Sequence, residues 1–228
     1  MIKTLLKYLI LNILNVILKI MNKFVLFLFL SIQLANAQSD NDIRILLDSV
    51  SNKTDSYMGV KIKFDYNLIN SDENIYESSN GDIIIKDDQY IFNFLEIQQI
   101  SDGENVWTIL IDDKEVQISE IEFDDENAMT PSNLLKLYEE GFIFKLVNKT
   151  DEYTTIDLIP ENIDEVDYSK IELVINTKKY QINKLSQFGN NSSIIEYKIK
   201  DFNEINLPDS VFKFDIDAYK DFEIIDLR

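Results

Sequence analysis

The amino-acid sequence predicts a mainly antiparallel β-fold, an open half-barrel accompanied by two short helices. Residues 60–68 alternate strictly between apolar and polar side chains, and further alternating stretches follow. Turn signals such as Asp102-Gly103 and Gly189-Asn190-Asn191 separate these stretches at the spacing of hairpins. No repeat or composition break marks a second domain in the sequence. We therefore expect about eleven sequential strands in a single domain.

Individual strands are predicted from the same alternation. Ile75 to Ser79 and Gly81 to Lys86 are predicted as two separate strands, and Phe212 to Phe214 as the last strand of the chain. All of them are expected to pair as sequential antiparallel hairpins.

Two segments have helical spacing instead. Residues 42–56 predict one amphipathic helix. Its apolar positions are Ile43, Leu46, Leu47 and Val50. Thr130-Pro131 supplies the N-cap and first residue of a second, mid-chain helix that ends before Gly141. The apolar positions of this second helix are Leu134, Leu135, Leu137 and Tyr138.

The N-terminal residues have the features of an export signal. A lysine precedes the apolar run Phe24 to Leu30, and Ala35-Asn36-Ala37 has the form of a cleavage site. We therefore expect residues 1–37 to be an extension and signal peptide cleaved after Ala37. Residues 38–228 would then be the exported domain.

The apolar stretch from Ile2 to Ile20 has two interpretations. It is either the product of a start codon assigned upstream of Met21, or a membrane anchor that remains uncleaved.

The composition excludes several classes of function. The chain has no cysteine and no histidine, which excludes thiol nucleophiles, disulfides, histidine catalysis and the usual zinc and haem ligands. Its net charge of −19 would repel the phosphates of nucleic acids. We expect a protein that is not an enzyme and binds no metal, cofactor or nucleic acid. A hydrolase that uses carboxylates alone is the enzymatic alternative, and no motif supports it.

The acidic clusters are interpreted as solvated surface. Asp112-Asp113, Asp124-Asp125-Glu126 and Asp215-Ile216-Asp217 lack the alternating oxygen ligands and the glycine of a calcium-binding loop.

Alternation places several aromatic side chains on one face of the predicted sheet. They are Phe64, Tyr66, Tyr90, Phe92, Phe94 and Trp107. Each of them could be ordinary core packing. Together, in a sheet that has only two helices to cover it, they predict an apolar cavity for a hydrophobic ligand. Ile83, Ile85 and Ile109 complete the predicted lipid-binding set.

Six features follow one another in a recognisable order. The amphipathic helix comes first, and an alternating strand and Gly81-Asp82-Ile83 come next. An aromatic strand follows, and then Ser101-Asp102-Gly103 with Trp107 four residues on. Thr130-Pro131 then opens the leucine-containing helix. This order, from about Ile43 to Leu227, resembles the periplasmic lipoprotein carriers of the LolA family.

The resemblance implies that short helices form a lid over the half-barrel, with the acyl chains of a lipoprotein beneath it. Phe92 would then line the cavity, and Trp107 would lie on the strand after the Ser-Asp-Gly turn. The implied lid residues are Leu46, Leu47, Leu134, Leu135 and Tyr138. Where the family has Arg-Pro, this chain has Lys86-Asp87-Asp88-Gln89. Lys86 offers a point charge and lacks the planar donor group of arginine, so lid control is expected to differ.

The function implied by the resemblance is a monomeric periplasmic carrier of acylated lipoproteins. An inner-membrane lipoprotein-releasing transporter would load it, and a possible outer-membrane acceptor would receive the cargo. The alternative is a periplasmic sensory or regulatory domain of similar fold that binds a lipid or a membrane-protein partner. An uncleaved anchor at the N-terminus would favour that alternative.

Overall fold

The computed structural model describes residues 41–121 and 141–228. The described residues from Ile45 onward belong to one compact unit, and those from 41 to 44, the first turn of helix α1 (residues 41–55), belong to another. The strands are β1 (Val60–Asn70), β2 (Ile75–Lys86), β3 (Gln89–Phe94), β4 (Ile97–Ser101), β5 (Asn105–Leu110), β6 (Glu115–Glu120), β7 (Phe142–Lys149), β8 (Tyr153–Pro160), β9 (Tyr168–Asn176), β10 (Gln181–Gly189), β11 (Ser193–Glu204) and β12 (Glu223–Asp226).

These strands form one open sheet in the order β12-β6-β5-β4-β3-β2-β1-β11-β10-β9-β8-β7. β1 to β6 form one antiparallel meander, and β7 to β11 form a second. The antiparallel pairing of β1 with β11 joins the two meanders. The predicted fold class, an open and mostly antiparallel sheet with an N-terminal helix, is therefore confirmed.

Three strand predictions are corrected. Residues 75–86 form the single strand β2, because its pairing with β1 continues without interruption through Ser79, Asn80 and Gly81. The predicted strand at Phe212 to Phe214 is wrong, since Phe212 ends a 3₁₀ turn that begins at Asp209. β12 was not predicted, and it pairs parallel with β6. The predicted mid-chain helix lies outside the described residues.

Successive side chains of each strand point to opposite faces of the sheet. We call the face that carries Phe64 the front face and the opposite one the back face. In β1, Phe64 and Tyr66 lie on the front, whereas Lys63 and Asp65 lie on the back. The register carries this assignment across the sheet, because directly paired residues share a face.

The back face of β4 to β6 has an apolar core of its own. Its buried residues are Ile100, Ile109 and Val116, and Ile91, Trp107, Phe214, Tyr219 and Phe222 pack against them. The last three belong to residues 205–222, which we call the C-terminal strap. The rings of Trp107 and Phe214 stack with centroids 5.5 Å apart. The Tyr219 hydroxyl donates a hydrogen bond to Gln98 Oε1 at 3.0 Å.

Both ends of the C-terminal strap are tied to the sheet. At its start, Lys86 Nζ donates hydrogen bonds to the carbonyl oxygen of Leu207, at 3.0 Å, and to the carboxylate of Asp209. The hydrogen bond from Lys86 to Asp209 lowers the pKa of Asp209 below its ordinary value, and the positive charge of Lys86 lowers this pKa further by a smaller amount. At its end, the backbone N–H of Glu223 donates to the carbonyl oxygen of Lys114 at 2.8 Å. Lys86 therefore anchors the strap on the back face.

On β8 to β11, the back face is charged. Lys170 Nζ lies 2.9 Å from the carboxylate of Asp157, and Lys184 Nζ lies 3.5 Å from that of Glu172 and 3.3 Å from that of Glu196. A shift of one residue in any of these pairings would move the charges to the apolar front face. The ion pairs therefore favour the observed register.

We expect Ile109→Ala to lower the free energy of unfolding by about 2–5 kcal/mol, because it opens a cavity among fully buried side chains. Ile109 is 0% exposed, whereas Ile111, two residues on, is 48% exposed. Ile111→Ala should change the same quantity by less than about 0.5 kcal/mol. Urea titration of both variants measures the difference, and equal losses would contradict a core on the back face.

Candidate ligand-binding face

Five aromatic side chains come together at the centre of the front face. We call Phe64, Tyr66, Phe92, Phe94 and Tyr197 the aromatic cluster. Phe64 lies with its ring centroid 6.2 Å from that of Phe92 and 5.8 Å from that of Tyr197. Tyr66 makes edge contacts with Phe94 at 4.9 Å and with Tyr197 at 5.4 Å. The cluster therefore spans β3, β1 and β11.

Gly81 makes this cluster possible. It lies on β2, between its register partners Phe64 on β1 and Phe94 on β3. A Cβ atom at this position would lie 2.4 Å from Phe64 Cζ and 2.8 Å from the carbonyl oxygen of Asn93. Because glycine has no Cβ, the ring of Phe64 lies over β2 and reaches the phenylalanines of β3.

The front face is packed differently in its two halves. On β7 to β9 most of its apolar side chains are buried, although Leu146 is 41% exposed. The buried ones are Phe142, Phe144, Ile156, Leu158, Ile171, Leu173 and Ile175. In the aromatic cluster Phe64 is buried, but the other four rings remain partly exposed. An aromatic surface that is only partly buried can gain further apolar contacts from a ligand.

Two tyrosines in the cluster respond to this environment. Burial raises the pKa of Tyr197 above its ordinary value of 10.0, and the neighbouring Tyr66 adds to the increase. Burial also raises the pKa of Tyr66, with a smaller contribution from the charge of Glu77. Both phenols are neutral at physiological pH, so they add hydrogen-bonding groups to the face without adding charge.

Most of the residues predicted to bind lipid lie on the front face. Ile83 and Ile85 of β2 pair in register with Ile62 and Val60, and Tyr90 pairs with Ile85. They lie beside Phe64, Tyr66, Phe92 and Phe94.

Trp107 and Ile109 are corrected, because the structure places both on the back face. They pair with Ile118 and Val116 and belong to the core beneath the C-terminal strap. They are therefore separated from the aromatic cluster by the sheet itself. The physical reason is that β5 carries apolar side chains on both faces, and the strap covers the second one.

The predicted lid residues are only partly described. Leu47 is buried at 1% exposure and Leu46 is half-buried, both on α1. Leu134, Leu135 and Tyr138 lie outside the described residues. The end of α1 approaches the front face, because Tyr57 contacts the ring of Phe202 with centroids 5.5 Å apart. Phe202 shares the front face with its register partner Ile62.

Tyr197 was not predicted from the sequence as a ligand-binding residue, although the pattern of its strand indicates an apolar face. Ile195, Tyr197 and Ile199 alternate with Glu196 and Lys198, which predicts one apolar face. Only the register between β11 and β1 shows that this face adjoins Phe64.

Two kinds of feature are absent from the described residues. Within 41–121 and 141–228, no three acidic side chains come together in a way that could hold a metal ion. The helices in this part of the chain include none with the length and apolarity to cross a membrane.

A family model described as outer membrane lipoprotein carrier protein LolA matches residues 94–215, more than half of the chain. The chain belongs to the LolA family. This membership confirms the resemblance seen in the order of the sequence motifs. No curated protein sequence matches the chain.

Three solved structures align with more of this chain than the family model does. An uncharacterized conserved protein from Thermus thermophilus aligns over 81% of this chain and 99% of its own, with a TM-score of 0.55 and 11% identity. A LolA superfamily protein from Nitrosomonas europaea aligns over 76% and 98%, with a TM-score of 0.43 and 12% identity. The MucA/MucB complex of Pseudomonas aeruginosa aligns over 77% and 62%, with a TM-score of 0.39 and 8% identity. The first of these supports the fold assignment.

We expect Gly81→Ala to lower the free energy of unfolding by about 1–3 kcal/mol, because the added Cβ overpacks the cluster. Near-ultraviolet circular dichroism should report the displaced rings. Phe64→Leu removes the atom that clashes, so Gly81→Ala should cost less in a Phe64→Leu background than in the wild type. Additive losses in this double-mutant cycle would contradict a direct contact between the two positions.

The raised pKa of Tyr197 predicts a pH dependence of stability. Below pH 10 the phenol is protonated in both states, and its contribution to stability is fully present. As pH rises through the folded-state pKa this contribution is lost, since the unfolded chain releases its proton first. Tyr197→Phe should therefore show a shallower loss of stability above pH 10 than the wild type. Phenolate absorbance and thermal unfolding at stepped pH measure both effects, and identical slopes would contradict the burial of Tyr197.

Proposed function

We propose that this LolA family member is a periplasmic carrier that binds the acyl chains of lipoproteins on its front face. It ferries them from the inner to the outer membrane and has no catalytic role. The description of its family, an outer membrane lipoprotein carrier, supports the class of cargo. The partly exposed aromatic cluster at the centre of the front face carries the proposal for this chain.

The chemistry of the aromatic cluster suits an acyl chain. Each methylene group removed from water contributes about 0.8 kcal/mol to binding. Aromatic rings provide a large and rigid apolar area at little cost in side-chain entropy. Ile83 and Ile85 extend this apolar area along β2 beside the cluster. An acyl chain that lies across β2 would contact both the aromatic cluster and these two isoleucines.

Release of the cargo is helped by the contacts that the cluster makes with itself. Aromatic pairs of this geometry are worth about 0.5–1.5 kcal/mol each. An acyl chain that inserts among Phe64, Tyr66 and Tyr197 must displace some of these ring contacts, which lowers the net affinity of the protein for the acyl chain. The carrier would then bind acyl chains tightly enough to shield them and weakly enough to release them.

The proposed route needs partners at both membranes. An inner-membrane lipoprotein-releasing transporter would load the carrier, and an outer-membrane acceptor would receive the cargo. The net charge of −19 opposes attachment to the anionic surface of a membrane. Export, cleavage after Ala37 and a mature domain of residues 38–228 remain proposals from the sequence.

We expect Phe92→Asp to weaken the binding of acyl chains strongly, because it places a charge inside the aromatic cluster. The protein would be produced in an exporting bacterial host and purified without detergent. Native and denaturing mass spectra would then detect bound lipid or acylated protein. Titration with a fluorescent acyl probe should show a loss of at least about tenfold in affinity.

Tyr76→Asp is the matched control. Tyr76 is 66% exposed and lies on the back face of β2, so this variant introduces the same charge away from the cluster. It should bind the probe like the wild type. A wild-type protein that carries no lipid and takes up no acyl probe would overturn the carrier proposal. It would leave the partner-binding regulatory domain as the function to test.

A further inference from the structure

The front face changes character beside the aromatic cluster. Phe92 on β3 pairs in register with Gln99 on β4, Gln99 with Thr108 on β5, and Thr108 with Gln117 on β6. We call Gln99, Thr108 and Gln117 the polar row. Neighbouring strands are about 4.8 Å apart, so the row extends roughly 14 Å from Phe92 along the direction of strand pairing. One continuous face therefore joins an aromatic surface to an uncharged polar one.

The side chains of the polar row retain much of their hydrogen-bonding capacity. Gln99 Nε2 donates to Thr108 Oγ1 at 3.2 Å, and Gln117 Nε2 donates to the carboxylate of Glu115 at 2.6 Å. All three residues are half-buried. Among the described residues, the side-chain carbonyl oxygens of the two glutamines accept no hydrogen bond. A carboxamide has two donor hydrogens and two acceptor lone pairs, so several positions remain for a ligand.

A purely hydrocarbon ligand would not suit this row. Covering half-buried amides with apolar atoms removes their water without replacing its hydrogen bonds, which is unfavourable. Ester, amide or hydroxyl groups of a ligand would supply the missing partners. The row lies directly beside the proposed acyl site, where the polar end of a bound amphiphile would emerge.

The charges on this part of the front face disfavour anionic ligands. The front-facing residues of β3 to β6 include no lysine or arginine, and Glu115 lies next to Gln117. An ionised carboxylate or phosphate on this part of the face would meet a negative charge and no positive one. Neutral linking groups are therefore favoured over anionic heads.

We propose that the polar row binds the uncharged ester, amide or hydroxyl groups through which acyl chains are attached in the ligand. This inference rests on the proposed carrier function and adds a preference. At equal chain length, the site selects neutral acyl esters and amides over free fatty acids and alkanes.

The test compares four ligands that each have a twelve-carbon chain. The affinity of each is measured by displacement of Nile red from the full-length protein at pH 7. They are monolauroylglycerol, lauramide, laurate and dodecane. Monolauroylglycerol and lauramide should bind more tightly than laurate. The relative strength of ester and amide separates a glycerol-ester source of the ligand from an acyl-amide source.

Variants of the polar row identify the responsible groups. Gln99→Leu combined with Gln117→Leu should weaken monolauroylglycerol about five- to tenfold, since hydrogen bonds of this kind are lost. The same variant should bind dodecane at least as tightly as before. Gln117→Lys should raise the affinity for laurate several-fold, because it adds the missing positive charge. Gln98→Leu is the control, since Gln98 lies on the same strand but on the back face.

The outcomes separate the two proposals. If the wild type binds neither Nile red nor dodecane, the acyl-binding function itself fails. If all four ligands bind but the double variant weakens none of them, or weakens dodecane as much as monolauroylglycerol, the polar row has no role in selection. A Gln98→Leu variant that reproduces the selective loss would also overturn the inference.

Discussion

The pairing of β1 with β11 is the contact on which the rest of the described structure depends. It joins two meanders that are far apart in the chain, and side chains that meet across it, Asn67 and Glu196, are 129 residues apart. A bulge between Lys63 and Phe64 in this pairing accommodates one additional residue of β11. Because of this bulge, Phe202 and Tyr197, which are five residues apart on β11, both lie on the front face. The aromatic cluster exists only while that register holds.

The fold was largely predictable from local patterns. The charged residues Lys63 and Asp65 alternate with Phe64 and Tyr66, so β1 shows which of its faces is apolar. β5 gives no such signal, because apolar side chains occupy both of its faces around Trp107. Which residue lies on which face of β5 depends on the C-terminal strap, which begins only after β11, six strands further along the chain. A period of two residues identifies a strand but does not say which covering segment each face will meet.

The candidate site was predictable in its aromatic residues and not in its boundaries. Phe92 and Phe94 follow from alternation alone, whereas Tyr197 joins them through a pairing between distant parts of the chain. Gly81 was visible as part of a motif, but its role depends on the ring of Phe64 that lies over it. The polar row was not predicted because glutamine in a strand ordinarily indicates a solvated face. The register of the sheet places this row directly beside the aromatic cluster, which makes it a candidate binding surface.

The distance in sequence between β1 and β11 also bears on how the chain reaches its native state. The first meander can form from local hairpins, but β1 keeps one unpaired edge until β11 has been made and has found it. Contacts of such long range slow the folding of β-proteins. During that interval the sheet is incomplete, because its two meanders are not yet joined. A strand edge that stays exposed for so long depends on protection from aggregation.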